Sequence, residues 1–189
     1  MSSVLPPYYL VTPEPIEKHS FLASLTRVLA SGGIRLVQFR ATQLSIADYA
    51  DLASEVLRCC RAVEAMCVLN TDPALALRLG SDGVHLNSHR LQAQAQPLMG
   101  FRWVSASCHG LADLQQATRI KADFVLLSPV LATASHPDSV PLGWAQFNAL
   151  VQRATCPVYA LGGLQKADLT VAQQAGAVGI AAIRGLWLG

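Results

Sequence analysis

Short apolar runs rich in valine, isoleucine and leucine recur along the chain. Between them, longer stretches place their apolar residues three and four positions apart. The first pattern predicts buried β-strands and the second amphipathic helices. On this reading strands fall at residues 8–12, 34–40, 66–70, 83–87, 103–107, 123–128, 158–163 and 179–184, with helices at 16–30, 46–62, 73–79, 111–120, 142–154 and 166–175. Ser45 and Asp72 stand where helix N-caps belong. The segment 89–98 carries only a weak helical pattern.

Eight strands alternating regularly with helices predict an α/β fold, a (β/α)8 or TIM barrel. The chain has 189 residues, whereas ~200 is the usual lower limit for that fold. The shortfall falls at the end, where GLWLG follows the eighth strand almost at once, so the expectation is a compact barrel with a truncated last helix. The alternative, an open doubly wound sheet, would carry a glycine-rich phosphate fingerprint after the first strand, and VTPEPIE has none. Length favours one domain spanning 1–189, and the proline-rich start, 1–7, reads as a linker-like entry.

Composition supports a small-molecule role. Hydrophobic residues make up 52% of the chain and charged ones 14%, which excludes disorder and fits parallel strands covered on both faces. The formal charge is +2 with the basic residues scattered, so no nucleic-acid footprint is present. No run approaches the ~18 apolar residues of a membrane span, and the N-terminus lacks a signal-peptide pattern. Five cysteines without a C-x-x-C pair fit a reduced, cytoplasmic compartment.

Barrels of this kind place their active sites at the carboxyl ends of the strands. Gln38 and Arg40 share one face of the second strand, and an arginine there must meet an anion or reach the rim. His85 sits in the strand GVHLN, where a core role and a ligand role both stand. His109 and His136 fall in loops on the functional side as candidates for acid, base or phosphate contact. Thr133, Ser135 and His136 lie in a long loop after the sixth strand, LSPVLATASHPDS. Gly162, Gly163 and Arg184, at the ends of the last two strands, suit backbone binding of a phosphate, with tight turns and a solvent-facing arginine as the alternative. No metal-ligand spacing is present.

These segments carry a family resemblance. VQFR, VLNTDPALALRLGSDGVHL, SASCHGLADLQQA, LLSPVLATASHP, PVYALGGL and AGAVGIAAIRG, in this order and spacing, resemble the thiamine phosphate synthase and TenI-like superfamily over nearly the whole chain. The resemblance implies synthesis of thiamine phosphate from a pyrimidine pyrophosphate and a thiazole phosphate, with Mg2+ as cofactor of an active synthase. The family's strand end that contacts the pyrophosphate matches Gln38 and Arg40, which with Ser107 are the expected catalytic residues, while Asn70, His85, His109, Thr133, Ser135 and His136 are expected to bind substrate. Gly162, Gly163 and Ile183 match the family's phosphate-binding positions, and Arg184 is expected to join them at the phosphate.

The chain departs from the family pattern at defined positions. Thr42 stands where the QxRxK strand end has lysine, and Asn70-Thr71 replaces an Asn-Asp pair. Arg90 aligns with a second magnesium-binding carboxylate, and Thr133-Ala134-Ser135-His136 replaces T-x-T-K. Asp72 substitutes for a lost aspartate only by a local shift. Pro129 stands where TenI-like tautomerases place a catalytic histidine, and Arg184 replaces the usual serine. The altered metal and pyrophosphate positions count against synthase activity and leave binding of a thiazole phosphate or thiamine phosphate as the expected function.

A closer likeness is to the synthase-like domain fused to MutT-type Nudix hydrolases, which gives the alternative of a non-catalytic sensing or companion domain with a Nudix hydrolase as partner. The Nudix box itself is absent from this sequence. The resemblance also allows a homodimer through the barrel helices.

Overall fold

The computed structural model describes residues 5–31, 33–133 and 140–187. Eight parallel strands close into a barrel in chain order: β1 (Tyr8–Val11), β2 (Leu36–Phe39), β3 (Met66–Leu69), β4 (Gly83–Leu86), β5 (Trp103–Cys108), β6 (Phe124–Leu127), β7 (Val158–Leu161) and β8 (Gly179–Ala182). Each strand pairs with the next, and β8 returns to β1 through Tyr9↔Ala181. The predicted barrel is therefore the observed one.

The helices are α1 (Lys18–Ala30), α2 (Ile46–Arg61), α3 (Pro73–Arg78), α4 (Ser88–Ala93), α5 (Leu111–Arg119), α6 (Gly143–Val151), α7 (Leu169–Gln174) and α8 (Arg184–Trp187), with a 3-10 turn at Lys166–Asp168 leading into α7. The Ser45 hydroxyl caps α2 by accepting from the Asp48 N–H, and the Asp72 carboxylate caps α3 from Pro73's far side, accepting from the N–H groups of Ala74 and Leu75. The weak pattern at 89–98 becomes α4, a short helix capped by Asn87 and finished by Ala93. The shortened last helix lays Trp187 on Phe21 of α1 at a centroid separation of 5.1 Å.

Because side chains alternate along each strand, the barrel has two separate cores. The inward set, Tyr9, Val11, Leu36, Val68, Phe124, Leu126, Tyr159 and Ala181, fills the interior. Tyr9, Phe124 and Tyr159 meet there with ring centroids 5.3–5.7 Å apart. The outward set, among them Leu10, Val37, Phe39, Leu69 and Leu86, packs under the helices. Cys60, Cys67 and Cys108 belong to this outer layer as small apolar side chains.

The described part of the linker-like start is tied to the barrel. The Pro6 carbonyl accepts from the Tyr159 hydroxyl at 2.6 Å, and the Pro7 carbonyl from the Ile180 N–H at 2.9 Å.

Seven of the eight strands are shorter than predicted, β5 being the exception, and the ends of strands two, seven and eight matter most for the site. The residues that leave the ladder, Arg40, Gly162, Gly163, Ile183 and Arg184, are those that form the mouth. Gly162 and Gly163 have φ of +111° and +68°, which ends extended structure at once. Arg184 opens α8 instead of ending β8.

Candidate ligand site at the barrel mouth

Register places the polar residues of strands two to five in one tier. Phe39 pairs with Leu69, and Leu69 with Val84, so the next inward positions are Arg40, Asn70 and His85. His85 in turn pairs with Ser105. The Asn70 N–H still donates to the Phe39 carbonyl at 3.0 Å, so the ladder survives to this level. Four neighbouring strands thus present Arg40, Asn70, His85 and Ser105 across the mouth.

A hydrogen-bond chain runs through this tier. Arg90, on α4, donates from Nη1 to Asn70 Oδ1 at 3.2 Å. Asn70 Nδ2 donates to Gln38 Oε1 at 3.0 Å, and Gln38 Nε2 donates to the Tyr9 hydroxyl at 3.1 Å. Gln38 is buried, with both ends of its amide used. Burial holds the Tyr9 phenol well above its ordinary pKa, opposed by hydrogen bonds to Gln38 and Ser105.

The second half of the tier is centred on His85. Its Nδ1 lies 2.9 Å from the Ser105 hydroxyl and its Nε2 2.8 Å from the Ser107 hydroxyl. The ring is fully buried, and burial lowers its pKa to about 3, with the charges of Arg90 and then Arg40 adding to the effect. His85 is therefore neutral at physiological pH. It reaches the mouth through Ser107, which is only half-buried, so Ser107 is the member of the pair placed to touch a ligand.

Arg40 is held by its backbone. Its N–H donates to the Thr12 hydroxyl at 3.0 Å, and that hydroxyl donates back to the Arg40 carbonyl at 3.2 Å. Its guanidinium lies 3.8 Å from Glu14, a loose pairing. Glu14 serves chiefly the backbone, accepting from the N–H groups of Thr42 and Gln43, both at 2.8 Å, and from the Thr42 hydroxyl at 3.0 Å. Partial burial opposes ionisation of Glu14, but these donors and Arg40 outweigh it and hold its carboxyl below the ordinary value. Thr42 is thus part of a clasp between the loops after β1 and β2.

On the opposite side of the mouth, Gly162 and Gly163 meet the loop after β6. A Cβ on Gly162 would lie 2.8 Å from Pro129 Cα, and one on Gly163 2.5 Å from the Ala132 carbonyl oxygen. Both glycines are required by this close approach as well as by their positive φ. Among the described residues their N–H groups donate to no backbone carbonyl. The loops after β7 and β8 touch through the bridge Gln165↔Gly185, which brings Gly163 beside Ile183 and Arg184. Ile183 continues the inward alternation of β8 and packs on the interior core, while Arg184 is exposed.

His109 is exposed on the loop after β5. Its Nδ1 lies 2.8 Å from the Ser128 carbonyl and must carry the proton there, which leaves Nε2 as the outward acceptor when the ring is neutral. Asp113 accepts from its backbone N–H at 2.8 Å. Thr133 is half-buried at the edge of the described loop, whereas Ser135 and His136 lie outside the described residues.

The structure thus brings Arg40, Asn70 and His85 into one tier, with Gln38 one inward level below and Ser107 one above. Tyr9, Ser105 and Glu14, to which the sequence reading gave no role, also adjoin this candidate site, and Arg90, read as an altered metal position, reaches it through Asn70. The signal for Tyr9 lies in the alternation that puts it on the inward face with Val11.

The residues do not fit a magnesium ion of the kind the family resemblance implies. The oxygen of Asn70 faces a guanidinium, Thr71 is buried, and Asp72 uses Oδ1 to cap α3. Among the described residues no group of three or more metal-ligating side chains comes together.

A closed parallel barrel with a polar tier and a glycine-lined edge at its carboxyl end has the layout in which TIM barrels carry small-molecule sites. The chain belongs to the thiamine monophosphate synthase family, whose profile matches residues 8–186. A putative thiamine-phosphate synthase 2 of Aquifex aeolicus is 32% identical over 180 residues, covering 95% of this chain and 96% of that protein. A thiamine-phosphate synthase of Herpetosiphon aurantiacus is 33% identical over 169 residues, covering 86% and 80%. In three dimensions a thiamine phosphate pyrophosphorylase from Pyrococcus furiosus superposes with a TM-score of 0.79 at 20% identity, over 95% of this chain and 89% of that one, and so supports the fold. No helix among the described residues is long and apolar enough to cross a membrane.

Proposed function

We propose that this chain binds a small phosphorylated ligand, a thiazole phosphate or thiamine phosphate, at the barrel mouth, in thiamine biosynthesis or salvage. The observation that carries the reading is the pairing of two unlike edges. One presents Arg40, Asn70 and Ser107, with Asn70 oriented by buried Gln38; the other presents the N–H groups of Gly162 and Gly163, which among the described residues donate to no backbone carbonyl. The glycine edge, with Ile183 and Arg184 beside it, suits a phosphate monoester. Where the pyrimidine pyrophosphate also binds, the reaction would form a bond from the pyrimidine methylene carbon to the thiazole nitrogen, break that carbon's bond to oxygen and release pyrophosphate. The protein's part would be positioning and stabilisation of the departing charge.

One observation favours a second reading. Arg90 stands where the resemblance implies a metal-binding carboxylate, and a chain altered there could bind without turnover, as a sensing or companion domain of a MutT-type Nudix hydrolase. Calorimetric titration with the thiazole phosphate, thiamine phosphate and the pyrimidine pyrophosphate, joined to an assay for released pyrophosphate, separates the readings. Binding with pyrophosphate release supports the synthase, and binding of monophosphates without release supports the companion. Absence of binding by all three rejects both.

A further inference from the structure

We propose that the mouth between β2 and β4 is a metal-independent diphosphate subsite in which the guanidiniums of Arg40 and Arg90 supply the positive charge. The inference rests on the reading that the mouth is the ligand site, and it concerns how that site neutralises an anion. Arg40, Asn70 and His85 occupy one row across three adjacent strands, and Arg90 reaches the middle of the row by donating to Asn70 Oδ1 at 3.2 Å. The same amide donates from Nδ2 to Gln38, so its orientation is set and the face it offers is governed by Arg90.

The nearby carboxylates offset these charges only in part, and Glu14 is the one ion-pair partner of Arg40 among the described residues. Glu14 lies 3.8 Å from Arg40 and is occupied by the N–H groups of Thr42 and Gln43. Asp72 caps α3. Asp113 accepts from the His109 N–H and from Gln92 Nε2 at 2.7 Å. Among the described residues Arg90 has no ion pair. Buried His85 stays neutral beside both arginines and adds no charge of its own.

A guanidinium at the end of the row, Arg40, and one that reaches its middle from α4, Arg90, with amide and hydroxyl donors beside them, match the several oxygens of a diphosphate. A divalent cation placed at Asn70 Oδ1 would have to displace Arg90 and share the row with Arg40. The substitution of arginine for a carboxylate therefore reverses the charge requirement of the subsite.

The test is calorimetric titration of inorganic pyrophosphate into the full chain, in EDTA and again with magnesium. A parallel titration with the thiazole phosphate reads the glycine edge. The proposal expects saturable pyrophosphate binding in EDTA, weakened by roughly tenfold to a hundredfold in Arg40→Met and in Arg90→Met, as loss of a charge-assisted hydrogen bond would give. Arg90→Lys should recover part of the affinity, and Arg90→Asp should lose metal-free binding. Circular dichroism and thermal melts confirm that each variant is folded.

Pyrophosphate binding that requires magnesium in the wild type overturns the proposal, as does metal-free binding unaffected by either methionine variant. Thiazole phosphate binding without any pyrophosphate binding overturns it while leaving the proposed function standing. Silence from both ligands rejects the ligand site itself.

Discussion

Arg90 Nη1 donates to Asn70 Oδ1 at 3.2 Å, and that contact joins a residue of α4 to the end of β3 across the barrel mouth. Through Asn70 it continues to Gln38 and to Tyr9, so the rim is coupled to the interior core by three consecutive side-chain hydrogen bonds. Such a chain fixes the donors before a ligand arrives, which lowers the ordering cost of binding.

Tyr9→Phe tests the buried end of the chain. It removes the acceptor of Gln38 Nε2 and keeps the ring that packs on Phe124 and Tyr159. A loss of about 1–3 kcal/mol is expected, because a buried donor is left without a partner. Urea unfolding measures it, and an unchanged midpoint would show that Gln38 finds another acceptor.

His85 makes the protein acid-sensitive. Its folded pKa of about 3 lies below the ordinary 6.5, so between these values the unfolded chain takes up a proton that the folded one refuses. This contribution is fully present above pH 6.5 and is lost as pH falls towards 3, at about 1.4 kcal/mol per unit. His85→Gln should flatten the stability curve over that range. A ring titrating near 6.5 by NMR would contradict the assignment.

The glycine edge should resist even alanine. In Gly163→Ala a Cβ at φ +68° would meet the Ala132 carbonyl oxygen at 2.5 Å, so the loop after β6 must move. A destabilisation of about 1–3 kcal/mol is expected from the forced backbone alone. Thiazole phosphate binding should weaken together with it. Chemical unfolding and calorimetry on the same variant supply both numbers.

Much of the fold was legible because parallel strands buried on both faces are written as short apolar runs, and their order needs no more than the helices between them. Gln38, Arg40 and Asn70 were legible as polar residues at strand ends. Tyr9 and Ser105 were not, since an aromatic and a serine inside an apolar run read as ordinary core. Arg90 was legible as an altered metal position, but its contact with Asn70 was not, because it lies on a helix with a weak pattern and only tertiary packing brings its side chain there.

The loop clasp offers a milder test. Glu14→Gln removes the charge that accepts from Thr42 and Gln43, and its cost should stay within about 1 kcal/mol because the group is partly exposed at the rim and an amide oxygen can still accept. The carboxyl's lowered pKa places this contribution above its unfolded value, and the contribution fades as pH falls through the folded one. The difference between wild type and Glu14→Gln should therefore shrink in acid, as thermal melts across pH can show.

The central claim is that a phosphorylated ligand occupies the barrel mouth. It is tested most directly by recording amide N–H chemical shifts of the intact chain during titration with the thiazole phosphate. The expected result is saturable shifts concentrated at Gly162, Gly163, Ile183 and Arg40. Saturable shifts confined to the outer helices, or none at any concentration, would contradict it.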